Sequence, residues 1–326
     1  MRGRLLASTL LFLATLAAPG LAGAANARVG VLSFRPLSDP GWAANWRIFT
    51  EALRQHGWIE GQNLSLTLRS TDGNEKRTTE LAGALVEQSP DVIVTFNYPN
   101  TKAVAQRTGT IPIVMFGVPN PVGLGLVASL SRPSGNITGV SSQTEDTLDK
   151  DLQLIQETRP GISRLSVITY GEEPYWTLTQ HAYAAAAHRV GVALDVIPVR
   201  SETDLDTALA KVAADRPDAL VVSSTSLIAA RSSSIAAFAI EHRLPTFTFQ
   251  TRMERDGLLM SYEADVPEMF RRTAAIIDKI LRGAKPADIP VEQPTQFRFV
   301  INLKTAHEIG IEIPPSVLTR ADEVVE

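Results

Sequence analysis

Apolar positions along the chain keep two rhythms: short unbroken runs of strand length, and stripes with helical spacing between them. Residues 28–34, RVGVLSF, are the first run. Ser38-Asp39-Pro40-Gly41 then reads as a helix start, with Asp39 as the N-cap and Pro40 at the first helical position. Trp42, Trp46, Phe49 and Leu53 follow as one apolar stripe, and Gly57 ends it. A strand over 64–68, a helix over 74–88, a strand within 89–96, a helix over 99–107 and a strand over 111–116 come next. A further short strand over 136–140 closes the unit.

From Arg164 the pattern begins again. RVGVLSF (28–34) is echoed by RLSVITY (164–170), the stop at Gly57 by Gly191, SPDVIVTF (89–96) by RPDALVVS (216–223), and IPIVMF (111–116) by LPTFTF (244–249). The intervening helices keep single stripes, Tyr183-Ala187-Val190 and Leu205-Leu209-Val212. Strands alternating with helices give parallel, doubly wound α/β sheets. The predicted architecture is therefore two Rossmann-like lobes joined by hinge strands, which a length of 326 residues accommodates.

The end of the chain opens no third unit. It holds a strand over 258–262, a helix with Phe270, Ala274, Ile277 and Leu281 on one stripe, a loop from Gly283, and a strand over 296–301. Since the second lobe already has its strands, this tail is expected to return and complete the first. The expected division is 28–141 for the first lobe, 142–261 for the second and 262–326 for the return, with crossings at Ser141-Ser142, Ser261-Tyr262 and 290–294.

The first residues follow neither rhythm. Arg2 and Arg4 precede an uncharged apolar run over 5–18, and A-x-A sites follow at 22–24 and 25–27, so residues 1–27 read as a cleavable signal peptide. Its loss removes two arginines and no acid, which makes the formal charge of −4 more negative by two. There is no cysteine to lipidate, to bridge or to bind metal. An extracytoplasmic, periplasmic protein without a lipid anchor is expected, and the acidic balance argues against a nucleic-acid partner.

In two facing α/β lobes a ligand lies outside the carboxyl ends of the strands. The apolar run 91–96 breaks abruptly into Asn97, Tyr98, Pro99, Asn100 and Thr101, where donors and free helix N-terminal N–H groups gather. The run 218–222 breaks likewise into Ser223, Ser224, Thr225 and Ser226. First-lobe candidates are Ser33, Phe34, Asn97, Tyr98, Asn100, Thr101, Phe116 and Asn120, with Trp42 kept beside them. Second-lobe candidates are Tyr170, Trp176, Ser223, Ser224, Thr225, Phe249, Gln250 and Tyr262. Hydroxyls and helix N-termini suit a carboxylate, whereas aromatics suit an apolar side chain or an ammonium group.

Enzyme chemistry finds little support. His56, His181, His188, His242 and His307 fall on helices or their ends, and there is no G-x-S-x-G elbow, H-E-x-x-H or P-loop. Gly123-Leu124-Gly125 lacks the third glycine of a dinucleotide fingerprint. No catalytic residue, metal or cofactor is assigned. A secreted α/β hydrolase and a receptor serving a sensor kinase are the alternatives.

The segments EALRQHGWIEGQNLSL (51–66), TIPIVMFGVPNPVGLGLVASLSRPSGNITGV (110–140), DGLLMSY (256–262) and the tail from Gly283 resemble the ABC transporter substrate-binding protein family. The resemblance is to its branch with the type I periplasmic-binding-protein fold and tryptophan- and tyrosine-binding members. It implies a non-enzymatic, monomeric receptor that closes on a small polar solute, an amino acid or related carboxylate, and delivers it to a permease driven by an ATPase. The chain departs from the family where Gly-Asp-Pro becomes Pro119-Asn120-Pro121 and where Ser-Tyr-Gly becomes Ser261-Tyr262-Glu263.

Overall fold

The computed structural model describes residues 26–35, 38–72, 74, 77–142, 144–171, 175–223, 226–248 and 253–326, so the expected signal peptide lies outside it. The first lobe opens with β1 (Ala27–Ser33), α1 (Pro40–Gln55), β2 (Leu64–Ser70), α2 (Thr78–Glu87), β3 (Val92–Phe96), α3 (Tyr98–Ala105), β4 (Ile113–Pro119) and β5 (Ile137–Ser142). These strands form one parallel sheet in the order β2-β1-β3-β4-β5. Its central strand, β3, is buried throughout, as an apolar run covered by helices on both faces must be. Helix α1 starts as its sequence dictates: the Asp39 carboxylate accepts from the Trp42 N–H at 2.8 Å, and Phe49 and Leu53 are fully buried.

The second lobe follows as α4 (Thr144–Thr158), β6 (Arg164–Tyr170), α5 (Tyr175–Val190), β7 (Ala193–Val199), α6 (Glu202–Asp215), β8 (Ala219–Val222), α7 (Ser226–Ala230), α8 (Ser232–Glu241) and β9 (Thr246–Thr248). The repeat seen in the sequence extends to individual hydrogen bonds. Arg28 and Arg164, the opening arginines, each place a guanidinium on two carbonyls at the end of the neighbouring helix, Gln88 and Ser89 in one lobe, Asp215 and Arg216 in the other. Asp91 and Asp218 each accept the backbone N–H of the matching arginine at 2.7 and 2.9 Å. A cation beside a helix C-terminus is favoured by the helix dipole, and both lobes use the same device.

The tail departs from expectation. It comprises β10 (Met260–Ala264), α9 (Val266–Leu281), β11 (Phe297–Asn302), α10 (Leu303–Ile309), α11 (Pro315–Leu318) and β12 (Glu323–Val325). All three strands join the second sheet, in the order β12-β11-β10-β9-β8-β6-β7, and the β10–β11 pair is antiparallel. Phe299 and Ile301 of β11 pack with Leu259, Met260 and Val221 in the second-lobe core, so the tail buries its strand there. Only α9 and the stretch after it return to the first lobe. Phe270, Ala274 and Ile277 enter the core with Phe49, Leu53 and Val94, and Ile289 joins them.

Three segments cross between lobes. The first leaves β5 for α4, and the second leaves β10 for α9 beyond Ala264. Ser261 and Tyr262, expected at a crossing, are instead paired within the second sheet, to Val300 and Phe299. The third passes Glu292, whose N–H donates to the Gly139 carbonyl while its own carbonyl accepts from Ser141 N–H, both at 2.9 Å. The Asp265 N–H then donates to the Gln296 carbonyl, tying the second crossing to the third. Leu178 in the first turn of α5 packs against the first-lobe core that contains Tyr98, Leu124 and Val127, so the lobes touch there.

Candidate functional site

The strand ends of the first lobe carry an aromatic cluster. Phe96 and Phe116 are register partners at the ends of β3 and β4, with ring centroids 4.9 Å apart. Trp42 from the first turn of α1 meets Phe96 edge-on at 4.6 Å, and Phe270 from α9 lies 4.6 Å from Phe116 and 5.5 Å from Phe96. Phe34 adds a tilted contact to Trp42 at 6.0 Å. Phe34 and Phe116 keep part of their surface open, whereas Trp42, Phe96 and Phe270 are buried behind them. The indole N–H of Trp42 is buried and has no hydrogen-bond partner among the described residues. Phe270 was read from the sequence only as part of a helical stripe in a tail expected to return to the first lobe, and not as a site candidate.

Asn97 ends β3 in a conformation, φ 71° and ψ 170°, that is nearly reserved for glycine. Its side chain caps α3 by accepting from the Asn100 N–H at 3.1 Å, and its N–H donates to the Phe116 carbonyl. Thr101 is fully buried; its hydroxyl donates to the Asn97 carbonyl at 2.7 Å and lies 2.8 Å from the Thr95 hydroxyl. Asn100 is also buried, its amide donating to the Leu32 carbonyl at 3.3 Å. The Ser33 hydroxyl closes a tight turn on Arg35. Thr101, Asn100 and Ser33, expected as ligand contacts, thus hold the strand ends in place. Tyr98 packs into the first-lobe core, and Asn120, at φ 39°, accepts from the Gly123 N–H in the loop after β4.

Strain at Asn97 should be measurable. Residues held in this region cost about 1–3 kcal/mol, and exchanging an Asn cap for Gly costs only a few tenths. Asn97→Gly is therefore expected to raise the melting temperature and Asn97→Ala to lower it. Equal destabilisation by both would show that the side chain, and not the backbone, decides.

Two strand ends of the second lobe carry buried hydroxyls. Thr169 in β6 and Ser223 just past β8 are neighbours by register, since Ile168 pairs with Val222 and the Ser223 N–H donates to the Ile168 carbonyl. Both are buried, and neither hydroxyl finds a partner among the described residues. Ser223 was a sequence candidate; Thr169 was missed because it lies within an apolar run. Tyr170 is buried at the end of β6, and Trp176 is partly exposed on α5. Ser224, Thr225, Phe249 and Gln250 lie outside the described residues.

Tyr262 is placed differently from expectation. It stacks on Phe297 at 5.3 Å and faces α4, where it lines a cavity of about 10 Å³ with Asp151, Met260 and Phe299. Burial raises its phenol pKa, with Asp151 and Asp322 adding to the shift and Arg320 opposing it. Burial alone drives the Asp151 carboxyl well above the usual carboxylate range, and one of its oxygens has no partner. Among the described residues no cluster of His, Cys, Asp or Glu suits a metal ion, and no helix is long and apolar enough to cross a membrane.

The family model described as "ABC transporter substrate binding protein" matches residues 28–325. A tyrosine-binding protein of Clostridioides difficile (strain R20291) is 23% identical over 264 residues, 81% of this chain and 76% of that protein. Among solved structures, a conserved domain protein from Vibrio cholerae superposes with a TM-score of 0.85 at 26% identity, covering 92% of this chain and 99% of that one. An ABC domain from Streptococcus pneumonia in complex with L-Trp gives 0.84 at 27% identity, covering 92% of this chain and all of that one. The two-lobed α/β arrangement is thus the type I periplasmic-binding-protein fold.

Proposed function

This chain belongs to the ABC transporter substrate-binding protein family, and from that premise we propose that it is the extracytoplasmic receptor of an importer, exported by its leader. It closes two lobes on a small polar solute, an amino acid or related carboxylate, and hands it to a permease driven by an ATPase. What supports the reading is the unlike chemistry of the strand ends in the two lobes. Phe34 and Phe116 offer partly open rings from the first lobe, while Thr169 and Ser223 offer, from the second, buried hydroxyls that have no partner among the described residues. A solute with an apolar body and a polar end satisfies both at once.

Relatives named for tyrosine binding and for a complex with L-Trp favour an aromatic amino acid as the body that fits the rings. Asn97, Asn120 and Tyr170, which follow or end strands of the two lobes, and Ser224, Thr225 and Phe249 are nominated with them on sequence grounds. A melting screen against L-tryptophan, L-tyrosine, the other amino acids and small carboxylates tests the reading. A true solute at a hundred times its Kd should add about 2.7 kcal/mol of stability and be recovered unchanged. No shift with any of them, or conversion of the bound compound, would overturn it.

A further inference from the structure

The carboxyl end of the first sheet faces the second lobe. The chain leaves for α4 there, from Ser142 at the end of β5, and Leu178 of α5 packs against the cluster that holds Leu32 of β1 and Tyr98. Strand β1 runs parallel to β3 and in register with it from Val29 to Leu32, so the residues after Ser33 lie at this same end, beside Phe96 and Asn97. One of them, Arg35, is a cation that no motif in the sequence singles out.

Arg35 is held in place from two sides. Its N–H donates to the Ser33 hydroxyl at 3.0 Å, and that hydroxyl donates to its carbonyl at 2.8 Å. Its guanidinium Nη1 donates to Asp39 Oδ2 at 2.8 Å, while Asp39 Oδ1 accepts from the Trp42 N–H as the cap of α1. The cap fixes the carboxylate, and the carboxylate fixes the guanidinium. The guanidinium carbon stands 5.6 Å from the centre of the partly open Phe34 ring, and only 19% of the side chain is exposed.

The ion pair with Asp39 uses a fraction of what the guanidinium offers. Arginine carries five N–H donors, and those of Arg35 meet no acceptor other than Asp39 among the described residues. The Trp42 indole N–H, on a ring 6.0 Å from Phe34, is a second buried donor of this cluster without a partner among them. Enclosed donors are costly unless an acceptor meets them. The neighbouring polar groups are already committed, since Ser33, Asn100 and Thr101 donate to the carbonyls of Arg35, Leu32 and Asn97.

Resting on the reading of the chain as a receptor for an amino acid or related carboxylate, we propose that Arg35 is the specificity-determining residue that binds the solute's carboxylate. Its planar fork matches two carboxylate oxygens, which a neutral amide does not offer. Phe34, against which the guanidinium lies, takes the apolar body next to it. Lys102 of α3, a second cation near this end, lies over the Tyr98 ring at 5.7 Å and serves as the control.

The test compares each acid that shifts the melting of the wild type with its primary amide, beginning with L-tryptophan against L-tryptophanamide and L-tyrosine against L-tyrosinamide. Calorimetry gives both Kd values, and their ratio cancels a general loss of stability. The wild type should prefer the acid by about tenfold or more, the worth of one charge-assisted hydrogen bond. The preference should disappear in Arg35→Gln and Arg35→Met, either of which decides if the other folds poorly. Arg35→Lys keeps the charge without the fork and should restore part of it, and Lys102→Gln should keep the wild-type ratio. An unchanged ratio in a folded Arg35→Gln or Arg35→Met, or a ratio that collapses in Lys102→Gln instead, would overturn the proposal and leave the receptor reading standing. A wild type that binds no amino acid or carboxylate would overturn both.

Discussion

Phe270→Ala is expected to lower stability by about 3–5 kcal/mol, the usual cost of truncating a buried phenylalanine. Phe270 is fully buried and touches the rings of Trp42, Phe49, Phe96 and Phe116. It comes from α9, which reaches the first lobe only after the chain has built most of the second, so the mutation tests a long-range contact. Phe116 stands partly open in front of it, and its support would go with the Phe270 ring. Denaturant unfolding should show the loss, and solute affinity should fall as well. A cost below about 1 kcal/mol, the range of ordinary surface substitutions and small repackings, would mean that α9 does not dock as described.

Gly139→Ala should be comparably severe. Gly139 lies in β5 at φ 143°, and a Cβ built there would stand 2.0 Å from the Met115 carbonyl oxygen and 2.6 Å from the Met115 nitrogen. Both neighbours are backbone atoms of the adjacent strand, so no side chain can swing away. The same glycine accepts from the Glu292 N–H, which links the first and third crossings. Overpacking at such a site costs about 1–3 kcal/mol or more, and holding an alanine at this φ adds about 1–3 kcal/mol of backbone strain. Melting of the variant within about 2 °C of the wild type, less than 1 kcal/mol for a domain of this size, would contradict the packing of β4 against β5.

Much of this was legible because the chain says it twice. Arg28 and Arg164, with Asp91 and Asp218, mark the same strand starts in each lobe, and the structure gives each pair the same bonds. The tail was misassigned because a strand's sequence shows that it pairs but not with which edge. Phe297–Asn302 reads equally well as a completion of either sheet, and its antiparallel pairing to Met260–Ala264 depends on a return from α9 that leaves no local trace. Thr101 and Asn100 were expected to face a ligand because donors at a strand end look alike from the sequence. Their bonds to Thr95, Asn97 and Leu32 show how much of that polarity is spent on fixing the strand end itself. Tyr262 was read from its neighbours in sequence, whereas its position is set by Phe297 across the strand and by α4 above it.

The central claim is that the two lobes close around a solute, and energy transfer between them tests it most directly. The sequence contains no cysteine, so Thr79→Cys and Thr203→Cys would provide the two sites for a donor and an acceptor. Both residues are exposed in the first turns of α2 and α6, helices that start from the carboxyl ends of β2 and β7 on opposite lobes. Adding the solute found by the melting screen at fixed pH should raise transfer to a saturating value at one equivalent per chain. Transfer that stays constant while the solute binds would contradict closure and place the site within a single lobe.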